Sequence, residues 1–306
     1  MRGRRQKRLQ RQWEQEREVV TSNTPNITIP PEVAKKKLDF KISFKDHYIK
    51  DCQNPIINTL KISAYTSIIP NHTHEHNQLL AIESWNKLGI DVYSINTQQE
   101  IHILKPKYSP LVKFIPSIKT TKHIFGKSCI LINEMIDHFT KNQTGDILML
   151  INSDIILNTS VELIDKIKIL SKLCIPISHR NDYVDDFSKN KKYTSGFDVF
   201  FINKKYINIF HQTMYSMGQT WWDYWIPYIA MKNKVPVFLI EDSFAFHKEH
   251  PLQYHAKNWM KMTEYFKWEN NITGGTHQEI NDNTRNEIIN NSISFNLCQI
   301  PLKDQL

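Results

Sequence analysis

Glycine is scarce in this 306-residue chain, with eight residues where roughly 7% would be ordinary. That shortage, with no GxGxxG and no GxxxxGK[ST] run, excludes a dinucleotide-binding glycine loop, a P-loop and a collagen-like repeat. Cysteine is sparse too. Cys52, Cys129, Cys174 and Cys298 lie far apart, with no CxxC pair and no zinc-ligand spacing. They read as reduced thiols, which predicts a cytoplasmic protein. No uncharged apolar run of about 18 residues is present, so no membrane span is expected. The first twenty residues are charged with no apolar run behind them, so no secretory leader is expected either.

Apolar residues make up 40% and charged residues 23% of the chain, enough to bury a core and too apolar for wholesale disorder. The net charge of +8 invites a nucleic-acid reading, but it is unevenly placed. Residues 1–20 hold six Arg and one Lys against three Glu, so half of the excess sits in that short segment. It reads either as a basic arm for phosphates or as a solvated helix of mixed charge. The expected organisation is a basic and polar extension over 1–35, one domain over 36–270, and an Asn-rich extension over 271–306.

Short apolar runs alternate with amphipathic stretches from about residue 60. Lys61 to Ile69, Ile90–Ile95, Leu111–Ile115, Asp146–Ile151 and Cys174–Ser178 read as strands. Helices are expected over Gln78 to Leu88, near 98–104, after a Ser128 cap, and after a Thr159-x-x-Glu162 capping box. Phe197–Ile202, Val235–Ile240 and Phe244–His247 read as later strands, with a helix over Trp222–Met231. This rhythm predicts an α/β fold with a mostly parallel central sheet.

Four segments carry chemistry. Asn152-Ser153-Asp154 follows a buried strand, where open α/β sheets bind ligands; the same residues also make an ordinary turn. Tyr193 to Asp198 uses one of the few glycines, Gly196, and sets Asp198 among aromatics, where a carboxylate needs partners. Trp221, Trp222 and Trp225 surround Asp223; such rings stack on sugars or fill a core, and an apolar setting raises a carboxyl pKa toward general-base duty. Ala245 to Pro251 delivers His247 and His250 at a strand end without the spacing of a zinc motif. The alternating His72, His74 and His76 have no carboxylate or thiol beside them and read as a solvated loop.

Together these segments resemble a GT-A type nucleotide-sugar glycosyltransferase, and more closely a bacterial and viral glycosyltransferase-like family. Its motifs stand here as Thr66-Ser67-Ile68-Ile69-Pro70, Phe125-Gly126-Lys127, Ile151–Asp154, Gly196–Phe200, Trp221–Pro227 and Ala245–Pro251. The resemblance implies a single GT-A domain, Rossmann-like, that uses a UDP- or GDP-sugar with Mn2+ or Mg2+. It puts Asn152-x-Asp154 in place of the DXD motif, with Asn for the first Asp, and Asp154 and His247 on the metal. Thr66, Ser67, Asn96, Lys127, Asn152, Ser153 and Arg180 would hold the donor. Trp221, Trp222, Trp225, Gly196 and Asp198 would face the acceptor, and Asp223 would be the catalytic base of a hexosyltransferase-like enzyme.

The acceptor is left open between a glycan, a protein, a lipid-linked sugar and a hydroxymethylated base in DNA. The location expected is the cytoplasm, that of the host if the chain is viral. A second reading keeps the fold and drops the reaction, giving a non-catalytic nucleotide-sugar or nucleic-acid binding protein. A nucleotidyltransferase is disfavoured because no glycine-rich basic loop follows the first strand.

Overall fold

In the computed structural model, which describes residues 59–70, 75–250 and 256–299, the apolar run Ile147–Ile151 lies in the middle of an eight-stranded sheet. All five of its side chains are buried, as a strand covered on both faces requires. The described residues fall in one unit, Phe40–Leu306. The basic segment 1–35, and His72 and His74, lie outside the described residues, while His76 is in the first helix.

Strands β1 (Ile62–Thr66), β2 (Asp91–Asn96), β3 (Lys113–Pro116) and β4 (Ile147–Ile151) alternate with helices α1 (Glu75–Lys87), α2 (Gln98–Tyr108), α3 (Lys122–Phe125) and α4 (Ile132–Asn142). There follow β5 (Ile155–Leu157), α5 (Val161–Ser171), β6 (Ile175–Ser178), β7 (Arg180–Tyr183), β8 (Asn190–Tyr193) and β9 (Val199–Asn203). Helix α6 (Trp222–Lys232), β10 (Val237–Ile240), β11 (Ala245–Lys248), α7 (Ala256–Glu269), α8 (His277–Asn291) and β12 (Ile293–Phe295) complete the order. The main sheet runs β12-β10-β6-β9-β4-β1-β2-β3. Only β9 is antiparallel to its neighbours β4 and β6, so the sheet is mixed and mostly parallel, as expected.

Period-two alternation gives the sheet two covered faces. Ile147, Met149 and Ile151 pack with Trp85 of α1, Leu104 of α2 and Ile164 of α5. Leu148 and Leu150 face the other layer, with Met135 of α4, Trp222 of α6, Phe266 of α7 and Ile288 of α8. Burying each such side chain stabilises by about 1.5–3 kcal/mol. Among the described residues, no helix is long and apolar enough to cross a membrane.

A second sheet, β5-β11-β7-β8, grows from the first. Three of its strands continue main-sheet strands directly: β4 into β5, β6 into β7 with only His179 between, and β10 into β11. Strand β11 pairs antiparallel with β5, setting His247 against Ile155, and parallel with β7, setting it against Asp182. Helix α1 anchors β5. Trp85 Nε1 donates to the Ile155 carbonyl at 2.8 Å, and Leu157 N donates to Ser84 Oγ at 3.0 Å.

Two local expectations are corrected. The cap of α5 is Ser160, whose Oγ accepts from Leu163 N, one residue after the expected Thr159. Ser128 does not cap α4, because Ile130 and Leu131 are drawn into bridges with Thr120 and Ser216 and the helix starts later, at Ile132. Within the Asn-rich stretch, the described residues up to 299 form a helix and a strand. Thr276 and Glu279 form a capping box for α8, and β12 adds an edge to the main sheet.

Candidate active site

The site residues gather at the carboxyl edge of the parallel strands. Asn152, Ser153 and Asp154 leave β4; His179 and Arg180 leave β6. Strand β9 runs the other way, so its start brings Gly196 and Asp198 to the same edge. Strand β11 carries His247, and His250 follows just beyond its end.

Asp154 and His247 meet there, and a residue absent from the expected ligands, His250, joins them. Asp154 Oδ2 lies 3.5 Å from His247 Nε2 and 3.3 Å from His250 Nε2, and the two nitrogens are 3.2 Å apart. Metal bonds of about 2.0–2.2 Å leave neighbouring donor atoms roughly 3–3.6 Å apart, so this triangle fits one ion. Burial opposes ionisation of Asp154, but hydrogen bonds from His247 and His250 prevail and hold its carboxyl well below the usual range. Burial would lower the His247 pKa, yet Asp154 and Asp182 together hold it up at about 9. His247 Nδ1 is 2.9 Å from Asp182 Oδ1, which orients the ring and directs Nε2 at the triangle. One carboxylate and two imidazoles suit a first-row transition ion; of the two ions expected, manganese fits better than oxygen-seeking magnesium.

Arg180 and Asn152 are placed otherwise than expected. Arg180 Nε donates to Asp182 Oδ1 at 2.7 Å and Nη1 to Asp198 Oδ1 at 3.2 Å, while the guanidinium lies over Tyr193. It braces two carboxylates instead of reaching for a donor phosphate. Asn152 Nδ2 donates to Asp198 Oδ1 at 2.9 Å, so the residue in the first DXD position is engaged by that carboxylate. Asp198 is thereby a buried tie between strand ends rather than an acceptor contact, with its Oδ2 left unpartnered.

Asp223 sits at the start of α6, after Trp221, whose φ of 77° is unusual for a bulky residue. Burial, and then the charge of Asp198, push its pKa up to about 7; amides of Asp223 itself, Phe197 and Tyr224 offset this only in part. Gly196 is required by this approach, since a Cβ there would lie 2.7 Å from Asp223 Oδ2. Gly196→Ala is therefore expected to displace the carboxylate and shift the titration of Asp223, with an unchanged circular dichroism spectrum. An unaltered Asp223 titration in the variant would dissociate Gly196 from Asp223.

The three tryptophans are core, which corrects their expected role. Trp221, Trp222 and Trp225 are 1%, 3% and 0% exposed, leaving no ring face for a sugar. Trp221 Nε1 donates to Thr263 Oγ1, Trp222 packs on Phe200, and Trp225 packs between Phe210 and Tyr215. Their area fixes α6, and with it Asp223.

At the ends of β1 and β2, Asn96 Nδ2 donates to the Ile68 carbonyl at 2.9 Å and lies 3.5 Å from Ser67 Oγ. Thr66 Oγ1 is buried and unpartnered. Ser153 Oγ donates to Gln78 Oε1, which also accepts from Ile69 N, so these residues shape the β1 exit. Lys127 is exposed, just past the left-handed Gly126 that ends α3.

No family model matches the chain, and no curated protein matches it in sequence. Solved structures of similar chain path include the mannosyltransferase PcManGT from Pyrobaculum calidifontis in complex with GDP-Man and Mn2+, at 9% identity and TM-score 0.43, over 85% of this chain and 81% of that one. A putative glucose-1-phosphate thymidylyltransferase from Bacillus anthracis is similar at 11% identity and TM-score 0.37, over 71% of this chain and 98% of that one. A 4-diphosphocytidyl-2C-methyl-D-erythritol synthase from Anaerococcus prevotii is similar at 10% identity and TM-score 0.37, over 68% of this chain and 99% of that one. At this distance the functional reading rests on the side chains of the site.

Proposed function

We propose that the chain is a glycosyltransferase of GT-A type, which moves a sugar from a nucleoside-diphosphate donor to a hydroxyl acceptor. The observation that carries this reading is the Asp154, His247 and His250 triangle on the sheet edge that Asp223 shares through Asp198 and Gly196. A divalent ion bound there would neutralise charge on the departing diphosphate.

Everything else falls to the protein's own residues. Asp182 holds His247 in the tautomer that presents Nε2, and Arg180 bridges Asp182 and Asp198. Thr66, Ser67 and Asn96 line the strand ends where a nucleoside would sit, with Lys127 on a nearby loop. The acceptor oxygen attacks the anomeric carbon, the bond to the diphosphate breaks, and that group leaves with the electron pair. With inversion, Asp223 takes the hydroxyl proton; with retention, it positions the acceptor. A pKa near 7 leaves it able to accept a proton at neutral pH.

A non-catalytic nucleotide-sugar binder is favoured by one observation: Asn152 is tied to Asp198, leaving a single carboxylate in the triangle. Nucleoside diphosphate released from a panel of UDP- and GDP-sugars, with and without Mn2+, tests both readings. Slow hydrolysis of one donor, dependent on Mn2+, is expected. Binding without release or transfer would favour the second reading, and no binding of any nucleotide sugar would overturn both.

A further inference from the structure

Arg180 is the first residue of β7, two positions past the end of β6, and so stands where the main sheet passes into the small one. The two halves of the candidate site lie on either side of that joint. His247 of the ion triangle belongs to β11 of the small sheet, whereas Asp223 starts α6, which packs on β6 and β10 of the main sheet.

The Arg180 side chain is 15% exposed and reaches both ways, with Nε on Asp182 Oδ1 at 2.7 Å and Nη1 on Asp198 Oδ1 at 3.2 Å. Burial alone would favour loss of its charge, but Asp198 and Asp182 hold it cationic. Among the described residues no lysine and no other arginine pairs with either carboxylate.

From each carboxylate a further contact leads on. Asp182 Oδ1 lies 2.9 Å from His247 Nδ1, which turns Nε2 to Asp154 and His250. Asp198 closes the Gly196-Phe197-Asp198 turn, and that turn holds Asp223: the Phe197 amide donates to its carboxylate, whose Oδ2 occupies the space of a Gly196 Cβ. Asn152, two residues before Asp154, donates to the same Asp198 oxygen and closes a loop of contacts around the joint.

The other titratable groups around Asp223 do not make this link. Tyr193 of β8 lies beside Gly196 and under the Arg180 guanidinium. His179, stacked on Phe197 and held down to about 4 by burial first of all, is uncharged at neutral pH. Tyr224 donates to the Ser195 carbonyl, and Arg285 and Asp282 of α8 act on Tyr224.

We propose that Arg180 is a positioning residue that ties the ion triangle and Asp223 into one unit, through Asp182 on one side and Asp198 on the other. The assignment of those two halves rests on the transferase reading above. The planar fork lets one side chain hold two carboxylates in fixed directions, which the point charge of a lysine does not. Its charge also offsets Asp198, the neighbour that works against ionisation of Asp223.

Two readouts on the full chain that need no nucleotide sugar test this. One is Mn2+ affinity by electron paramagnetic resonance; the other is the pH midpoint of the protonated-carboxyl infrared band that Asp223→Asn abolishes. Arg180→Gln should weaken Mn2+ binding about 10–100-fold, the usual cost of losing an outer partner of a metal ligand. It should also raise the midpoint by about one pH unit, because Asp198 then lacks its counter-charge. Arg180→Lys should restore at most one of the two readouts, and Asp198→Asn should lower the midpoint below that of wild type. Wild-type Mn2+ affinity or an unmoved midpoint in Arg180→Gln overturns the proposal, as does full recovery of both readouts in Arg180→Lys. Should Arg180→Gln fail to fold, an unmoved midpoint in Asp198→Asn, or wild-type values of both readouts in Arg180→Lys, overturns it instead. Readouts that move as expected in a protein that turns over no nucleotide sugar leave the link standing and end the transferase reading. Turnover with both readouts unmoved in Arg180→Gln does the reverse, and wild-type protein that binds no Mn2+ overturns both.

Discussion

Asp154→Ala is expected to abolish Mn2+ binding and turnover together while hardly moving the thermal melt. Asp154 supplies the one carboxylate oxygen of the triangle, so its loss leaves two imidazoles that cannot close on an ion. The placement of β5 does not depend on it. Strand β5 is held by Trp85 and Ser84 of α1 and by pairing with β11, none of which involves the Asp154 side chain. His247 keeps its second partner, Asp182. Electron paramagnetic resonance of titrated Mn2+, read beside a melting curve, separates the two effects. Wild-type Mn2+ affinity in the variant would remove the metal centre from the reading.

Asp223→Asn should cut sugar transfer by about 10²–10⁴-fold, the usual consequence of losing a general base, while donor binding survives. It should also stabilise the protein at alkaline pH. In the folded chain the Asp223 pKa is raised from its ordinary 3.8 to about 7, by burial and then by Asp198. Between those values the folded state keeps a proton that the unfolded state has lost, so stability falls as pH rises from about 4 to 7 and stays lowered above. Asparagine does not ionise. The variant should melt with wild type near pH 4 and several degrees above it at pH 8, while wild-type transfer climbs through pH 7. An Asn variant that transfers sugar at the normal rate would reduce Asp223 to a residue that starts a helix.

The strands at the centre of the sheet were legible because burial on both faces leaves an unbroken apolar run, as in Ile147–Ile151. Strands β7 (RNDY) and β8 (NKKY) were not: β8 is an edge of the small sheet, which tolerates polar residues, and β7 beside it is polar because Arg180 and Asp182 pair with each other. Helix α8 hid in an Asn-rich stretch. Its buried stripe is only Ile280, Thr284 and Ile288, although the Thr276 and Glu279 capping box was readable. Within the site, Asp154 and His247 stood out as a turn acid and a strand-end histidine. His250 stands beside His247 in the sequence, but two histidines three apart outside a helix carry no fixed geometry and do not mark it as a third ligand. Asp182 was missed for a different reason: its value lies in pairing with His247 across parallel strands, which sequence spacing does not express. The tryptophans misled because composition cannot tell a stacking platform from a core wedge.

The pairing of Ile155 with His247 joins the ion-binding residues through a β-ladder rather than through a loop. A strand slipped by one residue turns every side chain to the opposite face. A single-residue insertion or deletion between β10 and β11, at residues 241–244, would therefore threaten the Asp154, His247 and His250 triangle even where the main sheet absorbed it. Change of length is better borne in the β7–β8 connection, whose residues 184–186 are exposed and carry none of the ion's ligands. In evolutionary terms, the short β10–β11 link has less freedom to drift in length than the β7–β8 turn.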